Sequence, residues 1–383
     1  MRRLVAIAAL VAGAAAPPYP VVTPGIRLAF PRDHGAHPAF RTEWWYVTGW
    51  LKGDDGRDIG FQVTFFRVNT HADPANPSRF SPGQVLFAHA ALSDSRLGRI
   101  LHAEQAARAG FGLAGAATAD ADVRLNRWTF RHGPGGAFAT HVAGAEFGLD
   151  LAFRPDQPPL AQGESGYSRK GPKPAQASYY YSVPHLKVAG SIVRGGRMER
   201  VSGEAWLDRE WSSDYLAPEA AGWDWAGLNL DDGSALMAFR IRRKGGGTLW
   251  TGGSLRRSGG AIVHLSSGDV SFAPVRHWRS VATGAVYPVE QVLNVRMPEG
   301  LRRFPLRPLF ADQEVDARRS GQPVYWEGAV STDGGRGYLE LTGYAATSGC
   351  RATRFVARSF VRGAYRAHRH RPHVTIVQVR LES

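Results

Sequence analysis

One pattern occurs once in each half of this sequence and strongly restricts the fold. Residues 44–68, WWYVTGWLKGDDGRDIGFQVTFFRV, and residues 222–241, GWDWAGLNLDDGSALMAFRI, both place paired Trp residues and an Asp-Asp-Gly turn before an apolar run. Strand-like runs on both sides of an Asp-Gly turn predict a β-hairpin. A third hairpin of this form is predicted at 325–344, YWEGAVSTDGGRGYLELTGY. The chain is therefore predicted to be all-β.

The distance between the copies predicts how the hairpins are arranged. It is far longer than the repeat of a solenoid, so the copies are better explained as two separate units. Antiparallel hairpins that close into a barrel leave no open strand edge. We therefore expect two related antiparallel β-barrels in tandem, an N-terminal one at 37–212 and a C-terminal one at 213–348. Residues 17–36, rich in Pro and polar side chains, are predicted to be an extended lead-in.

The N-terminal residues have the pattern of an export signal. Arg2 and Arg3 precede a short apolar run at 4–11 and small residues at 14–16. Such a run is too short to span a bilayer as a helix, which needs about 20 apolar residues. Residues 1–16 are predicted to be a signal peptide, with a disordered apolar N-terminus as the alternative. The protein is then expected to be periplasmic or secreted in a bacterium and not integral to the membrane.

The net charge of +14 is concentrated at the C-terminus. Residues 351–383 contain eight Arg and one acid, Glu382, which is +7, and 14 − 7 leaves +7 for the rest of the chain. The segment 349–383 is predicted to be a solvated basic tail, with contact to phosphates or anionic lipid as the alternative. No nucleic-acid-binding motif is present, so we expect no nucleic-acid partner.

The densest group of chemically active residues is GEAWLDREWSSDY, residues 203–215. Side chains alternate between the two faces of a strand, so Trp206, Asp208 and Glu210 are predicted to share one face. Desolvation beside an indole raises the pKa of a carboxyl group. A protonated carboxylic acid is what an enzyme needs to protonate an unactivated alkene. Arg209 is the competing interpretation, because it could pair with one of the two acids and hold it ionised.

The opening hairpin offers a second group. Trp44 and Tyr46 are predicted to share one face of the strand, and Glu43 lies on the other. His37 is close enough in sequence to join Glu43. We therefore keep Glu43 as a candidate acid.

The third group is GWDWAGL, residues 222–228, in the second copy of the hairpin. Trp223 and Trp225 are predicted to share a face, and Asp224 points to the other face. The two indoles are candidate walls of a site, and Asp224 is a candidate acid.

Four stretches taken together resemble a known family. HPAFRTEWWYVTGWL, GEAWLDREWSS, GWDWAGLNLDDG and YWEGAVSTDGGRGYLELTGY, in this order, resemble the carotenoid 1,2-hydratase (hydroxyneurosporene synthase) and AttH-like family. The resemblance covers roughly residues 30–345. It implies two packed lipocalin-like β-barrels. It also implies water addition to a terminal carbon–carbon double bond of an acyclic carotene, without a cofactor, by an acidic residue with aromatic neighbours.

This resemblance leads to two functional hypotheses. The first is a cofactor-free hydratase, a hydro-lyase, acting on a lipophilic isoprenoid or polyene. The second is a non-catalytic carrier of a lipophilic molecule in the cell envelope, with an ABC transporter as a candidate partner. For the first, the candidate acids are Glu43, Asp208, Glu210 and Asp224, and the candidate aromatic walls are Trp44, Tyr46, Trp206, Trp223 and Trp225.

The aromatic residues also have a structural interpretation. Lipocalin barrels place a Trp at the barrel base with a basic side chain over it, and Trp44 or Trp223 could have this role under Arg67 or Arg240. No G-x-S-x-G elbow, H-E-x-x-H motif, Cys pair or dinucleotide fingerprint is present, so we expect no metal and no cofactor.

Overall fold

The structure is a computed structural model that describes residues 19–72, 76, 78 and 80–345. Within this part the chain is almost entirely β-structure, without an α-helix and with three single-turn 3₁₀ segments, Arg32–His34, Pro134–Gly136 and Arg318–Ser320. The predicted signal peptide at 1–16 and the predicted basic tail at 349–383 lie outside the described residues. The described part contains no helix with the length and apolar character that a membrane crossing needs.

The N-terminal sheet begins with the predicted hairpin and curls into a nearly closed barrel. Its strands follow the order β4-β3-β2-β1-β13-β12-β9-β8-β7-β6-β5, and β10 and β11 both pair with β12. The two ends of the sheet, β4 and the β5–β6 hairpin, come together. Nδ2 of Asn126, just after β6, donates a hydrogen bond to Gln105 Oε1 of β4 over 2.6 Å. The strands are β1 (Thr42–Lys52), β2 (Asp58–Asn69), β3 (Gln84–Asp94), β4 (Arg99–Arg108), β5 (Ala114–Ala116), β6 (Asp122–Leu125), β7 (Trp128–His132), β8 (Phe138–Ala143), β9 (Phe147–Arg154), β10 (Leu160–Ala161), β11 (Tyr167–Arg169), β12 (Ala177–Arg194) and β13 (Arg197–Ser212).

The C-terminal sheet repeats this plan with fewer strands. Its order is β17-β16-β15-β14-β23-β22-β20-β19-β18, and β21 pairs with β22. The opening strand β14 lies between β15 and β23, just as β1 lies between β2 and β13. The strands are β14 (Ala220–Leu230), β15 (Ala235–Arg243), β16 (Thr248–Arg256), β17 (Ile262–Leu265), β18 (Val270–Arg279), β19 (Val286–Met297), β20 (Gly300–Pro308), β21 (Glu314–Asp316), β22 (Val324–Thr332) and β23 (Gly335–Thr342).

The two opening hairpins are therefore equivalent elements, as the repeat predicts, and the prediction of an all-β, lipocalin-like double barrel is confirmed. β1 pairs with β2 from Thr42 opposite Val68 to Lys52 opposite Asp58. β14 pairs with β15 from Ala220 opposite Arg243 to Asn229 opposite Ala235. In each case an Asp-Gly-containing turn joins strands that form one wall of a barrel.

Strand alternation divides each opening strand into an inner and an outer face. On β1, Trp45, Val47 and Leu51 point into the N-terminal barrel and join its apolar core. Trp44 and Tyr46 point outwards, towards the C-terminal sheet. The face assignment from the sequence is thus confirmed for this strand.

An ion-pair cluster occupies the interior of the N-terminal barrel. Glu43 is fully buried and accepts hydrogen bonds from Arg67 Nε and Arg209 Nη2. The backbone N–H of His37 donates to both carboxylate oxygens of Glu43 over 3.0 Å, which confirms the expected proximity of these residues. The guanidinium of Arg209 lies 4.0 Å from the centre of the Trp45 indole ring. The basic residue over a barrel Trp is therefore Arg209 over Trp45.

Two expectations from the sequence are corrected by this cluster. Arg209 pairs with Glu43 on the inner face, whereas the competing interpretation paired it with Asp208 or Glu210, which point to the outer face. Arg67 is engaged by Glu43 and does not cover Trp44.

The C-terminal barrel contains a corresponding cluster. Asp224 of β14 is fully buried and accepts hydrogen bonds from Arg240 and Arg242 of β15. The hydroxyl of Tyr344 donates to Asp224 Oδ1 over 2.8 Å. Arg240 therefore pairs with Asp224 and does not cover Trp223, contrary to the structural interpretation of that Trp.

The two barrels pack through their outer faces. A buried cluster at this junction draws apolar side chains from both sheets, among them Trp50, Trp206, Trp225 and Met237. The backbone at Gly227 makes room for this packing, since a Cβ there would lie 2.8 Å from Trp225 Cζ2 and 3.2 Å from Trp206 Cδ2. The opening strands β1 and β14 are therefore buried on both faces, which explains why they are apolar along most of their length.

Candidate active site

A cavity of about 390 Å³ lies between the outer faces of the two barrels. The inner faces of the barrels are occupied by the apolar cores and the ion-pair clusters. The cavity is walled by strands of both sheets and by aromatic rings. These rings belong to Trp44, Tyr46, Phe66, Phe87, Tyr180, Tyr215, Trp223, Trp225, Phe239 and Tyr325.

Most of the sequence-predicted site residues meet at this cavity although they come from distant segments. The two predicted acids Asp208 and Glu210 line it from β13. Trp206 lies on the same face of β13, and its Nε1 donates to Asp208 Oδ1 over 2.7 Å. The remaining predicted wall residues in the lining are Trp44, Tyr46, Trp223 and Trp225.

The other two candidate acids lie elsewhere, in the barrel interiors. Burial alone would raise the pKa of Glu43, but the charge of Arg209, the hydrogen bond from His37 and the charge of Arg67 outweigh it and lower this pKa to about 2. Asp224 is ion-paired with Arg240 and Arg242. Glu43 and Asp224 are therefore ion-pair partners of arginines, and neither lines the cavity.

Two further carboxyl groups, Glu327 of β22 and Glu340 of β23, line the cavity from the C-terminal barrel. They are direct cross-strand neighbours in the third hairpin. Sequence reasoning did not select them, although a signal was present. Glu327 lies two residues from Tyr325, and Glu340 lies two residues from Tyr338, so each acid shares a strand face with a Tyr. Each strand therefore carries an acid on an otherwise apolar face.

Asp208 is held by three hydrogen-bond donors. Tyr180 Oη donates to Oδ2 over 2.6 Å, while Ser182 Oγ at 2.5 Å and the Trp206 indole donate to Oδ1. Desolvation by burial nevertheless raises the pKa of Asp208 to about 7, because it outweighs the stabilisation of the carboxylate by these donors. Trp225 Nε1 in turn donates to Tyr180 Oη over 3.0 Å, which fixes the direction of this hydrogen-bond chain.

Glu340 is less constrained. Among the described residues it accepts a single side-chain hydrogen bond, from Trp223 Nε1 to Oε2 over 2.9 Å. Desolvation raises the pKa of Glu340 to about 7 against the effect of that bond, and the charges of Asp208 and Glu210 add to the rise. The carboxyl group is partly accessible from the cavity. Glu340 can therefore carry a proton near neutral pH and present it to a bound molecule.

Glu327 and Glu210 complete the set of acids. Burial, together with the charge of Glu340, raises the pKa of Glu327 well above its usual value, and Tyr46 Oη donates to its Oε1 over 2.5 Å. Glu210 Oε1 lies 3.2 Å from the ammonium nitrogen of Lys170, an ion pair without hydrogen-bond alignment. The cavity thus combines acids whose pKa values are raised with one carboxyl group that has a cationic partner.

The raised pKa values of Asp208 and Glu340 predict a pH-dependent stability. Their reference values are 3.8 and 4.5, and the folded values are about 7. Between about pH 4.5 and pH 7 the folded protein holds protons that the unfolded chain has lost, so stability falls as the pH rises through this window. These two groups should therefore lower the urea midpoint between pH 5 and pH 8, against the opposite contribution of His34 and His89, whose pKa values burial lowers to about 4 and about 3.

The double variant Asp208→Asn/Glu340→Gln should reduce this pH dependence, because neither amide titrates. The single variant Glu290→Gln, at a partly exposed acid paired with Arg276, serves as the control and should keep the wild-type dependence. An unchanged slope in the double variant would contradict the assignment of these two groups.

Among the described residues, no group of three or more His, Cys, Asp or Glu side chains is arranged to hold a metal ion. The site is therefore described by its carboxyl groups, its one ammonium group and its aromatic walls. This set can donate a proton, accept a proton and stabilise positive charge at a bound apolar molecule.

Comparison with solved structures supports the fold and identifies a close relative. A protein of Nitrosomonas europaea assigned to AttH is 49% identical, with a TM-score of 0.79 over 85% of this chain and 99% of that one. Kievitone hydratase from Nectria haematococca has a TM-score of 0.62 at 14% identity, over 86% of this chain and 94% of its own. CghA with Sch210972 has a TM-score of 0.50 at 16% identity, over 79% and 88% respectively.

Sequence comparison gives the family. No curated protein matches the sequence significantly. The AttH-like family model matches residues 21–344, which is nearly the whole of the described part. The chain therefore belongs to the AttH-like family.

Proposed function

We propose that this protein adds water to a carbon–carbon double bond of a lipophilic isoprenoid or polyene, without a cofactor, in the cavity between its two barrels. The observation that carries the proposal is the presence of carboxyl groups with raised pKa values, Asp208, Glu327 and Glu340, on the wall of an aromatic cavity. Kievitone hydratase, a fold neighbour, is by its name a hydratase; the likeness to it concerns the fold.

The first step is proton transfer to the alkene, and Glu340 is the donor that we favour. Its proton bonds to one alkene carbon, and the electron pair of the double bond forms the new C–H bond. The other carbon becomes a carbocation. Faces of Trp44, Trp223 and Trp225 around the cavity stabilise such a charge by about 0.5–2 kcal/mol per contact.

The second step is capture of the cation by water. The water oxygen bonds to the cationic carbon, and a proton leaves that oxygen for a carboxylate. Asp208 is the base that we favour, since its pKa of about 7 lets it accept a proton near neutral pH. Proton exchange through water then returns Asp208 and Glu340 to their starting states. The sum is alkene plus water to alcohol.

Cavity size limits the substrate. A volume of about 390 Å³ falls in the lower part of the range for sites that enclose drug-sized ligands, about 300–1,000 Å³. A long acyclic polyene would therefore place only one end in the cavity. This agrees with a reaction at a terminal double bond.

A non-catalytic carrier of a lipophilic molecule is the second candidate. An apolar, aromatic cavity supports it because such a cavity can hold a lipophilic ligand whether or not its acids react. We further propose, from the N-terminal sequence, that the protein is exported to the periplasm or secreted. An ABC transporter remains the candidate partner for the carrier function.

Two measurements on the purified protein test the proposal. Organic extraction followed by mass spectrometry should recover a bound lipophilic molecule under both candidates. Incubation with an acyclic carotene in detergent and isotopically labelled water should give a product that contains one labelled oxygen. Recovery of the carotene bound but unchanged would support the carrier and contradict the hydratase. An empty extract with no carotene binding would contradict both.

A further inference from the structure

The charged groups of the cavity are strongly unbalanced towards acids. Four carboxyl groups face it, those of Asp208, Glu210, Glu327 and Glu340. Among the described residues of the lining, Lys170 is the one side chain with a permanent positive charge. His89 also lines the cavity, but burial lowers its pKa to about 3 and it is neutral. The acids of the lining thus outnumber their cationic partners.

One part of the cavity wall already binds a cation, the ammonium group of Lys170. The ammonium nitrogen of Lys170 lies 4.5 Å from the ring centre of Tyr180 and 4.3 Å from that of Phe239. The carboxylate of Glu210 lies beside it at 3.2 Å. Aromatic faces together with a carboxylate are the recognised means by which proteins bind ammonium ions.

Two further acids of the cavity have aromatic neighbours and no cation of their own. The carboxyl groups of Asp208 and Glu340 line the cavity together with the rings of Trp223 and Trp225. Both acids accept hydrogen bonds from indole N–H groups, and neither forms an ion pair with a described residue. A positive group on a bound molecule would supply the missing counter-charge.

We propose that the cavity selects lipophilic molecules that carry one positive charge, such as tertiary or quaternary alkylammonium ions, over neutral and anionic molecules of the same length. This inference rests on the proposed function in one respect, because the acids and rings that would stabilise a carbocation are the groups that would hold the ammonium. An alkylammonium ion is then a stable analogue of the cationic intermediate. Anionic lipids are disfavoured because they would lie beside the ionised carboxyl groups of the lining.

Proton linkage follows from this selectivity. Desolvation raises the pKa values of Asp208 and Glu340 to about 7, so both groups are partly protonated at neutral pH. A bound cation favours their ionised forms and releases protons. The measured affinity for the ammonium ion should therefore rise between pH 6 and pH 8, while the affinity for a neutral alcohol should change little.

The experiment compares three probes with the same alkyl chain, decyltrimethylammonium, 1-decanol and decyl sulfate, all below the micellar concentration. Isothermal titration calorimetry with the full chain gives their affinities. We expect decyltrimethylammonium to bind at least about tenfold more tightly than decanol, because aromatic rings and carboxyl groups hold its ammonium group, and decyl sulfate to bind most weakly. The net charge of +14 favours non-specific binding of decyl sulfate, so the expected order cannot come from the overall charge.

Variants locate the effect. Glu340→Gln should weaken binding of the ammonium ion and leave decanol affinity unchanged, whereas Glu290→Gln on the outer surface should change neither. Equal affinity for the ammonium ion and decanol in the wild-type protein would overturn the inference, as would an ammonium preference that survives in the double variant Asp208→Asn/Glu340→Gln.

The outcome separates this inference from the proposed reaction. Selective ammonium binding without hydration of any alkene would keep the inference and reject the hydratase. Hydration that decyltrimethylammonium does not inhibit, in a protein without ammonium preference, would keep the hydratase and reject the inference.

Discussion

Replacing Arg209 by alanine is expected to lower the free energy of unfolding by about 3–5 kcal/mol, the usual cost of removing one partner of a buried ion pair. Arg209 is fully buried and pairs with Glu43, which is itself inaccessible to solvent. Its guanidinium also covers the Trp45 ring. The substitution leaves Arg67 as the one arginine among the described residues that pairs with the Glu43 carboxylate, and it removes the cover of the indole.

Urea denaturation followed by tryptophan fluorescence measures this loss. The matched control is Arg276→Ala, which removes an exposed partner of Glu290 and should cost only about 0–1 kcal/mol. The double variant Arg209→Ala/Glu43→Gln should recover no stability, because it leaves the buried guanidinium of Arg67 without its carboxylate partner. A loss for Arg209→Ala no larger than the control would show that the cluster does not stabilise the barrel. If Arg209→Ala fails to fold, Arg209→Lys provides the comparison.

Replacing Glu340 by glutamine should reduce the rate of hydration by about 10²–10⁴-fold, the contribution typical of a positioned general acid. Glutamine keeps the shape of the side chain and can still accept the hydrogen bond from Trp223 Nε1. It cannot donate a proton as a carboxylic acid does. The loss should appear in kcat, while binding of a neutral substrate should be nearly unchanged.

The pH profile separates a catalytic role from a structural one. In the wild-type protein the rate should fall as the pH rises through about 7, where Glu340 loses its proton. In the residual activity of Asp208→Asn this fall should shift to lower pH, because the charge of Asp208 no longer raises the pKa of Glu340. Glu290→Gln is the control and should keep both rate and profile. Full activity in Glu340→Gln would reject Glu340 as the acid.

Much of the fold could be predicted from the sequence because its signals are local. The alternation of Glu43, Trp44, Trp45 and Tyr46 depends only on strand geometry, and the repeated Asp-Gly turns depend only on a few neighbouring residues. The same reasoning correctly placed Asp208 and Glu210 on one face of β13. Such inferences fail only when a strand assignment fails.

The location of the site could not be predicted in this way. Alternation tells which residues share a face, but it does not tell whether that face points into a barrel or out of it. The usual sign of an outer face is polarity, and here the second barrel covers the outer face, so that sign is absent. The candidate residues therefore could be grouped by face, while the cavity between the barrels that they line could not be located.

Partners distant in sequence were also beyond local reasoning. Glu43 and Arg209 are 166 residues apart, and only the pairing of β1 with β13 brings them together. Glu340 meets Asp208 through the packing of one barrel on the other. Arg209 follows Asp208 directly in the sequence, but it pairs with Glu43. The expected pairing of Arg209 with Asp208 or Glu210 was therefore wrong.

The separation between filled interiors and a reactive junction bears on how such a protein can change in evolution. Each barrel contains its own arginine–carboxylate cluster, Glu43 with Arg209 in one and Asp224 with Arg240 in the other. The side chains that line the cavity lie outside these clusters, so their exchange leaves both clusters intact. A double barrel of this kind can acquire new substrates by mutation at the junction alone, which makes the scaffold tolerant of functional divergence.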